Sequence, residues 1–204
     1  MSTLLLPRKY LSYSQMTCWK TNKERFRREY FENGRKLNTK YLTFGKGIAS
    51  AIEDGTYKDI VPDLIVIGEP EHKVQTLVQG VPILSFIDTY DVKEHVFQEF
   101  KTGKHAWTQA KVQKHEQLIF YATVLKWSTG TMPKKCQLVW LETSEEVADP
   151  SDFWASVEKK LSLTGKIVPF ERTFDEREVE RMEKEIVKAA QEISEAYKSF
   201  ISEI

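Results

Sequence analysis

Between His72 and Thr143 the chain changes its hydrophobic period, and that change limits what it can fold into. Three short stretches, HKVQTLVQG, PILSFIDTYD and HVFQEFKTG, are rich in Val, Ile, Phe and Thr and are separated by turn residues. They read as consecutive antiparallel strands, because a tight turn can only join neighbours running in opposite directions. From Ala106 to Trp127 the pattern is helical, with neither Gly nor Pro, and KCQLVWLET follows as a fourth strand. A strand reached through a long helix fits a crossover onto the same sheet. The expected class is therefore α/β, a central mixed β-sheet flanked by helices.

The flanking segments read as follows. LSYSQMTCWKTNKERFRREYF begins with serines suited to capping and runs without Gly or Pro to Asn33-Gly34, which predicts a helix from about Ser14 to Phe31. LTFGKGIASAIEDG predicts a turn with two glycines leading into a short helix that ends at Gly55. DFWASVEKKLSL, residues 152–163, predicts a helix, and IVPFERTF, residues 167–174, a short strand. From about Asp175 apolar residues recur at 179, 182, 186, 190, 193, 197, 200 and 204. Spacings of three and four place them in one stripe on a long C-terminal helix, which docks on the body or meets a protein partner.

With no repeat, low-complexity tract or Pro/Gly/Ser linker, residues 1–204 read as a single domain. Apolar residues make up 41% and charged residues 29%, which places the chain with ordinary globular proteins. No apolar run is long enough to span a membrane, and MSTLLLPRKY lacks the basic and apolar regions of an export signal. Cys18 and Cys136 lie far apart and near no histidine pattern, so they read as two thiols of a reducing, cytoplasmic compartment. Charge is unevenly spread. Residues 1–40 hold ten Lys/Arg against three Glu, and residues 171–204 hold six against ten Asp/Glu. That asymmetry suggests a front end facing a polyanion.

The chemistry concentrates in FIDTYDVKEHVFQEFKTGK. Asp88 falls toward the end of one expected strand, and Glu99 and Lys101 toward the end of the next. Residues two apart on a strand share a face, so Glu99 and Lys101 project together. A turn around Lys93-Glu94 folds the second strand beside the first and can bring Asp88 near Glu99. Two carboxylates suit a hard cation such as magnesium, which polarises a phosphate oxygen and lowers the pKa of bound water. An adjacent lysine can stabilise charge developing on the phosphate. An exposed strand face with alternating charges explains acid-x-Lys equally well when it stands alone. On the following helix Gln117 and Tyr121 lie four apart and share a face.

Taken in order, FGKGIASAIE, FIDTYD, FQEFKTGK and QLIFY resemble the RecB-type branch of the PD-(D/E)XK nuclease superfamily, and LSYSQMTCW resembles its N-terminal segment. The match covers roughly residues 10–125. It implies a restriction-endonuclease-like core and a Mg²⁺- or Mn²⁺-dependent deoxyribonuclease, an exonuclease acting on single-stranded or end-bearing DNA. By position, Asp88 and Glu99 resemble the metal-binding carboxylates, with the Phe100 carbonyl as a further ligand. Lys101 resembles the catalytic lysine, Gln117 and Tyr121 resemble the motif supporting the scissile phosphate, and Thr102 resembles the lysine's usual neighbour. Many relatives carry a metal-binding His where this chain has Ala49. Glu53, one turn later, either compensates as a ligand or is a solvated helix glutamate. Relatives with an iron–sulfur cluster use four cysteines; only Cys18 has a counterpart here, so no cluster is expected. The altered helix keeps open an alternative, a catalytically inactive nuclease-fold protein that binds nucleic acid or a protein partner.

Substrate contacts are expected from two places. KTNKERFRREYF combines Lys20, Lys23, Arg25, Arg27 and Arg28 with Phe26, Tyr30 and Phe31. Its cations can follow phosphates, while its aromatics either stack on bases or pack into the core. Lys104, His105 and Lys111, just beyond the catalytic lysine, are placed for phosphate contact if the family geometry holds.

Overall fold

Five strands form one mixed sheet in the order β1-β2-β3-β4-β5. The computed structural model describes residues 4–36, 38–147 and 159–203. Strands β1 (Glu69–Val78), β2 (Val81–Asp91) and β3 (Val96–Gly103) follow one another antiparallel, as their spacing predicts. Strand β4 (Lys135–Val147) returns parallel to β3 after the helical crossover, and β5 (Lys159–Arg172) pairs antiparallel with β4.

Seven α-helical segments among the described residues surround the sheet. They are α1 (Tyr13–Thr21), α2 (Lys23–Phe26), α3 (Lys40–Glu53), α4 (Tyr57–Ile60), α5 (Gln109–Gln113), α6 (Glu116–Thr129) and α7 (Glu176–Ser202), and a π-helical turn, Arg27–Phe31, continues α2. The larger core lies between the sheet and α1, α6 and α7. A smaller one joins Ile48 and Ile52 of α3 to Val139 and Leu141 of β4. Helix α6 is buried without interruption from Leu118 to Leu125, because it is enclosed between β1, β2 and α7. Helix α7 starts at a reciprocal cap between Asp175 and Glu178 and buries Val179, Met182, Ile186 and Ile193 completely. Each such side chain contributes about 1.5–3 kcal/mol, which anchors the apolar stripe to the chain's own body.

Four elements differ from the sequence expectation. The helix expected over Ser14–Phe31 is broken at Asn22, whose extended backbone ends α1 and whose side chain accepts from the Arg25 N–H at 2.8 Å to start α2. The helix expected over Ala106–Trp127 begins only at Gln109 and breaks at Lys114-His115. There the buried Arg172 guanidinium donates to the carbonyls of Val112 and His115, which also accept from the N–H groups of His115 and Leu118, and so braces the break. The glycine-bearing turn is itself helical: Gly45 and Gly47 lie inside α3, and a Cβ at Gly45 would stand 3.4 Å from Thr102 Oγ1. A Cβ there would make only ordinary contact with β3, and packing of Ile48, Ala51 and Ile52 outweighs the propensity loss of about 1 kcal/mol at each glycine. Of the helix expected over residues 152–163, the part from Lys159 is strand, continuous with the expected strand at residues 167–174 as far as Arg172. The remainder lies outside the described residues.

Candidate active site

Strands β2 and β3 pair only from Thr89 to Asp91 with Val96 to Gln98 and then part. Asp91 Oδ1 fixes the turn that joins them, accepting from the N–H groups of Lys93 and Glu94. In the opening beyond the last pair, Asp88 Oδ2 accepts from the Phe100 N–H at 2.7 Å. The carboxylate thus replaces a ladder bond and is held against the start of the Glu99-Phe100-Lys101 run.

Glu99 and Lys101 project from the same face of β3, as period two requires. Lys101 Nζ donates to Glu99 Oε1 at 2.5 Å and to Gln117 Oε1 at 2.8 Å, and Gln117 Nε2 donates to the Tyr121 hydroxyl at 2.9 Å. The chain of contacts runs from the sheet to the first turn of α6, where His115 Nδ1 caps the helix by accepting from the Gln117 N–H. Asp88, Glu99, Lys101, Gln117 and Tyr121 are therefore brought together.

Burial decides the electrostatics. Glu99 is 2% exposed, and its Oε2 has no hydrogen-bond partner. Desolvation, then the nearby Asp88 charge, push its pKa up to about 7 against the pull of Lys101. Desolvation also raises Asp88, opposed by the Phe100 N–H and Lys101. Burial works against the Lys101 ammonium, yet the adjoining Glu99 carboxylate, with Asp88 beyond it, holds its pKa above the usual lysine value. Burial raises Tyr121, keeping it a neutral hydroxyl. His115 is pushed down to about 4 by burial and then by the Lys101 charge, so its imidazole is neutral at pH 7.

On the other side of Asp88 a cavity of about 100 Å³ is lined by Ala49, Ile52, Glu53, Glu71, Asp88 and Phe100. Ala49 and Glu53 thus face the site. Glu53, however, is hydrogen-bonded to the Glu71 carboxyl, which raises its pKa. Glu71 escaped the sequence reading because the first strand was taken to begin at His72. The register places it across from Asp88, between the pairs Pro70↔Thr89 and His72↔Ile87. Among the described residues no three of His, Cys, Asp or Glu converge tightly enough to hold a metal ion. Two carboxylates do suffice for magnesium, which keeps several waters, and the unpartnered Glu99 oxygen is the kind of donor such an ion would satisfy.

A second cavity, about 280 Å³, opens beside Gln117 and Tyr121 and is lined further by Arg8, Ser14, Lys36 and Ser85. Arg8 and Lys36 both lie over the Tyr30 ring, and Ser85 Oγ is buried without a partner. None of these was legible as a site residue; the capping serines of LSYS were the one signal pointing here.

The expected nucleic-acid contacts are dispersed. Lys104 and Lys111 flank the loop after β3. Arg25 lines a groove of about 750 Å³ with Lys36, Lys46 and Gln117, but is paired with buried Glu29 at 2.7 Å. Arg27 pairs with Glu32 and Glu203 and lies over Phe200, away from Lys101. Arg28 sits at the loop closed by its carbonyl and the Gly34 N–H. Phe26, Tyr30 and Phe31 are buried, which settles their alternatives in favour of core packing over base stacking. Two cations of the basic front end meet α7: Lys20 bonds Glu185 and Lys23 bonds Glu192.

No helix among the described residues is long and apolar enough to cross a membrane. No protein-family model and no curated protein matches the chain. Solved structures do. A phage-related exonuclease from Haemophilus somnus 129PT superposes with a TM-score of 0.53 at 14% identity, covering 92% of this chain and 83% of that one. An exonuclease candidate from Eubacterium rectale gives 0.51 at 9% identity, covering 91% and 83%. At such identities the likeness establishes the architecture: this chain has the α/β fold of those exonuclease structures, a mixed five-stranded sheet flanked by helices with a long C-terminal helix.

Proposed function

We propose that the chain is a metal-dependent DNA nuclease of the PD-(D/E)XK type, close to its RecB-type branch, that hydrolyses phosphodiester bonds from strand ends. The observation that carries the reading is the buried Glu99 carboxylate, one oxygen on Lys101 and the other unpartnered, beside Asp88 in the opening between two strands. Asp88, Glu99 and the Phe100 carbonyl would hold Mg²⁺ or Mn²⁺, with Glu53 and Glu71 near enough to reach it through water. When bound, such an ion polarises a phosphate oxygen and lowers the pKa of water.

The chain's own residues supply the rest. Lys101 carries a fixed positive charge, oriented by Glu99 and Gln117, toward the position where negative charge grows on the phosphate. Tyr121, neutral and bonded to Gln117, holds that amide with its oxygen on the lysine. The cavity holding Arg8, Lys36 and the unpartnered Ser85 hydroxyl suits a strand end bearing a phosphate, which supports exonuclease action.

Cleavage of labelled single-stranded, blunt and circular DNA by wild type and Lys101→Ala tests this. Wild type should degrade the substrates with ends and spare the circle, and Lys101→Ala should lose about 10²–10³ in rate. Equal degradation by both proteins would sink the assignment of the lysine. Ala49 in the cavity wall and the Glu53–Glu71 contact favour a second reading, a protein that binds DNA or a protein partner without cutting. Thermal stabilisation by Mn²⁺, absent in Asp88→Ala, with no cleavage by wild type would select it.

A further inference from the structure

Just past the catalytic lysine, the loop after β3 carries Trp107, whose ring stacks on His115 with centroids 5.0 Å apart and planes 5° from parallel. His115 is not free to turn. Its Nδ1 caps α6 through the Gln117 N–H, and its carbonyl accepts from buried Arg172. The imidazole is therefore a fixed backing plate for the indole. Tyr13, packed on Phe120, borders the same surface depression of about 470 Å³, together with Ala110, Lys111 and Lys114.

The charges around this depression are one-sided. Lys104, Lys111 and Lys114 have no acidic partner among the described residues, and Lys111 reaches only the Ala106 carbonyl. Glu116, the acid at the rim, is engaged by Lys20 at 3.6 Å and Arg181 at 3.3 Å. Tyr13 also lines the cavity that holds Arg8 and the groove that holds Lys46, both of which Gln117 lines as well, so it is a wall common to all three openings. A strand whose phosphate reaches Lys101 can thus extend along the lysines and lay its bases against an aromatic wall.

We infer that Trp107, backed by His115, is a stacking platform for an unpaired base next to the phosphate at Lys101, with Lys111 and Lys114 following the backbone. This rests on the proposed nuclease reading and adds a substrate preference to it. A base must leave its duplex partner to lie on the indole, so single-stranded or frayed ends bind in preference to blunt ones. Phe26, Tyr30 and Phe31, for which stacking and core packing were both open, are core residues; the platform comes instead from the loop between β3 and α5.

Binding of a fluorescent oligothymidylate in EDTA, where cleavage is prevented, tests the platform. Trp107→Ala should weaken binding about 5- to 100-fold, the equivalent of about 1–3 kcal/mol, and Trp107→Phe should retain most of it. A strand of the same length carrying abasic positions should bind wild type and Trp107→Ala alike. Loss of the same size on normal and abasic strands would show Trp107 to be a packing residue and overturn the platform. Should Trp107→Ala fail to fold, an abasic position moved stepwise along the strand is read on wild type alone; binding indifferent to every placement overturns the inference. Cleavage that depends on Lys101 together with base-independent binding removes the platform alone. Base-dependent binding without cleavage or a Mn²⁺ response removes the cutting reading and leaves the platform standing.

Discussion

Replacing Asp88 by Asn should make the metal-free protein more stable in mild alkali while leaving it almost unchanged near pH 5. Glu99 is buried, and its pKa of about 7 in the folded protein lies well above the ordinary carboxylate value of 4.5. A carboxyl raised in this way binds its proton more tightly when folded. Stability is then highest below the unfolded pKa and falls as pH rises from 4.5 toward 7. The gap corresponds to about 3 kcal/mol, most of which appears between pH 5 and 8. For a chain of this size that is roughly 5–10 °C of melting temperature. Asp88 is raised as well, so its own titration adds to the slope. Asn keeps an oxygen for the Phe100 N–H but removes the charge that, after burial, lifts Glu99. The variant should regain about 1–2 kcal/mol at pH 8 and little at pH 5. Thermal melts in EDTA from pH 5 to 8.5 measure this directly, and Mn²⁺ should then raise the melting temperature of wild type alone. Parallel pH profiles for the two proteins would refute the coupling of the two carboxylates.

Further outcomes follow from the packing. Arg172→Leu leaves Glu178 and the carbonyls of Val112 and His115 without their buried donor, and should cost about 3–5 kcal/mol in urea unfolding. Ile186→Ala, in the fully buried stripe of α7, should cost about 2–5 kcal/mol by the same assay, whereas a helix serving only an external partner would lose almost nothing.

The strands were legible because their turns are short and their residues β-branched, and strand periodicity put Glu99 and Lys101 on one face near Asp88, while their reading as a site came from the resemblance of the ordered motifs. Gln117 and Tyr121 were legible as an i, i+4 pair. The helix breaks were not, since Asn22 and His115 act through capping geometry and the break at His115 is braced by an arginine from β5, 57 residues away in sequence. Glu71 was hidden because its relation to Asp88 is a matter of register, which no local pattern states. The basic front end misled for a related reason. Lys20 and Lys23 belong partly to the acids of α7, so an uneven charge distribution along the chain became an internal match in the fold.

That match ties α1 and α2 to α7 across a long stretch of sequence. Trp19 donates to Glu192, and the Leu5 N–H to Ser194, so the segment bearing Tyr13 and Ser14 leans on α7. A variant ending at β5 would keep Asp88, Glu99 and Lys101 on its sheet and Gln117 and Tyr121 on α6, yet the segment bearing Tyr13 and Ser14 would lose its support. Deleting α7 should therefore disturb the cavity wall that Tyr13 and Ser14 form without removing any of those five side chains.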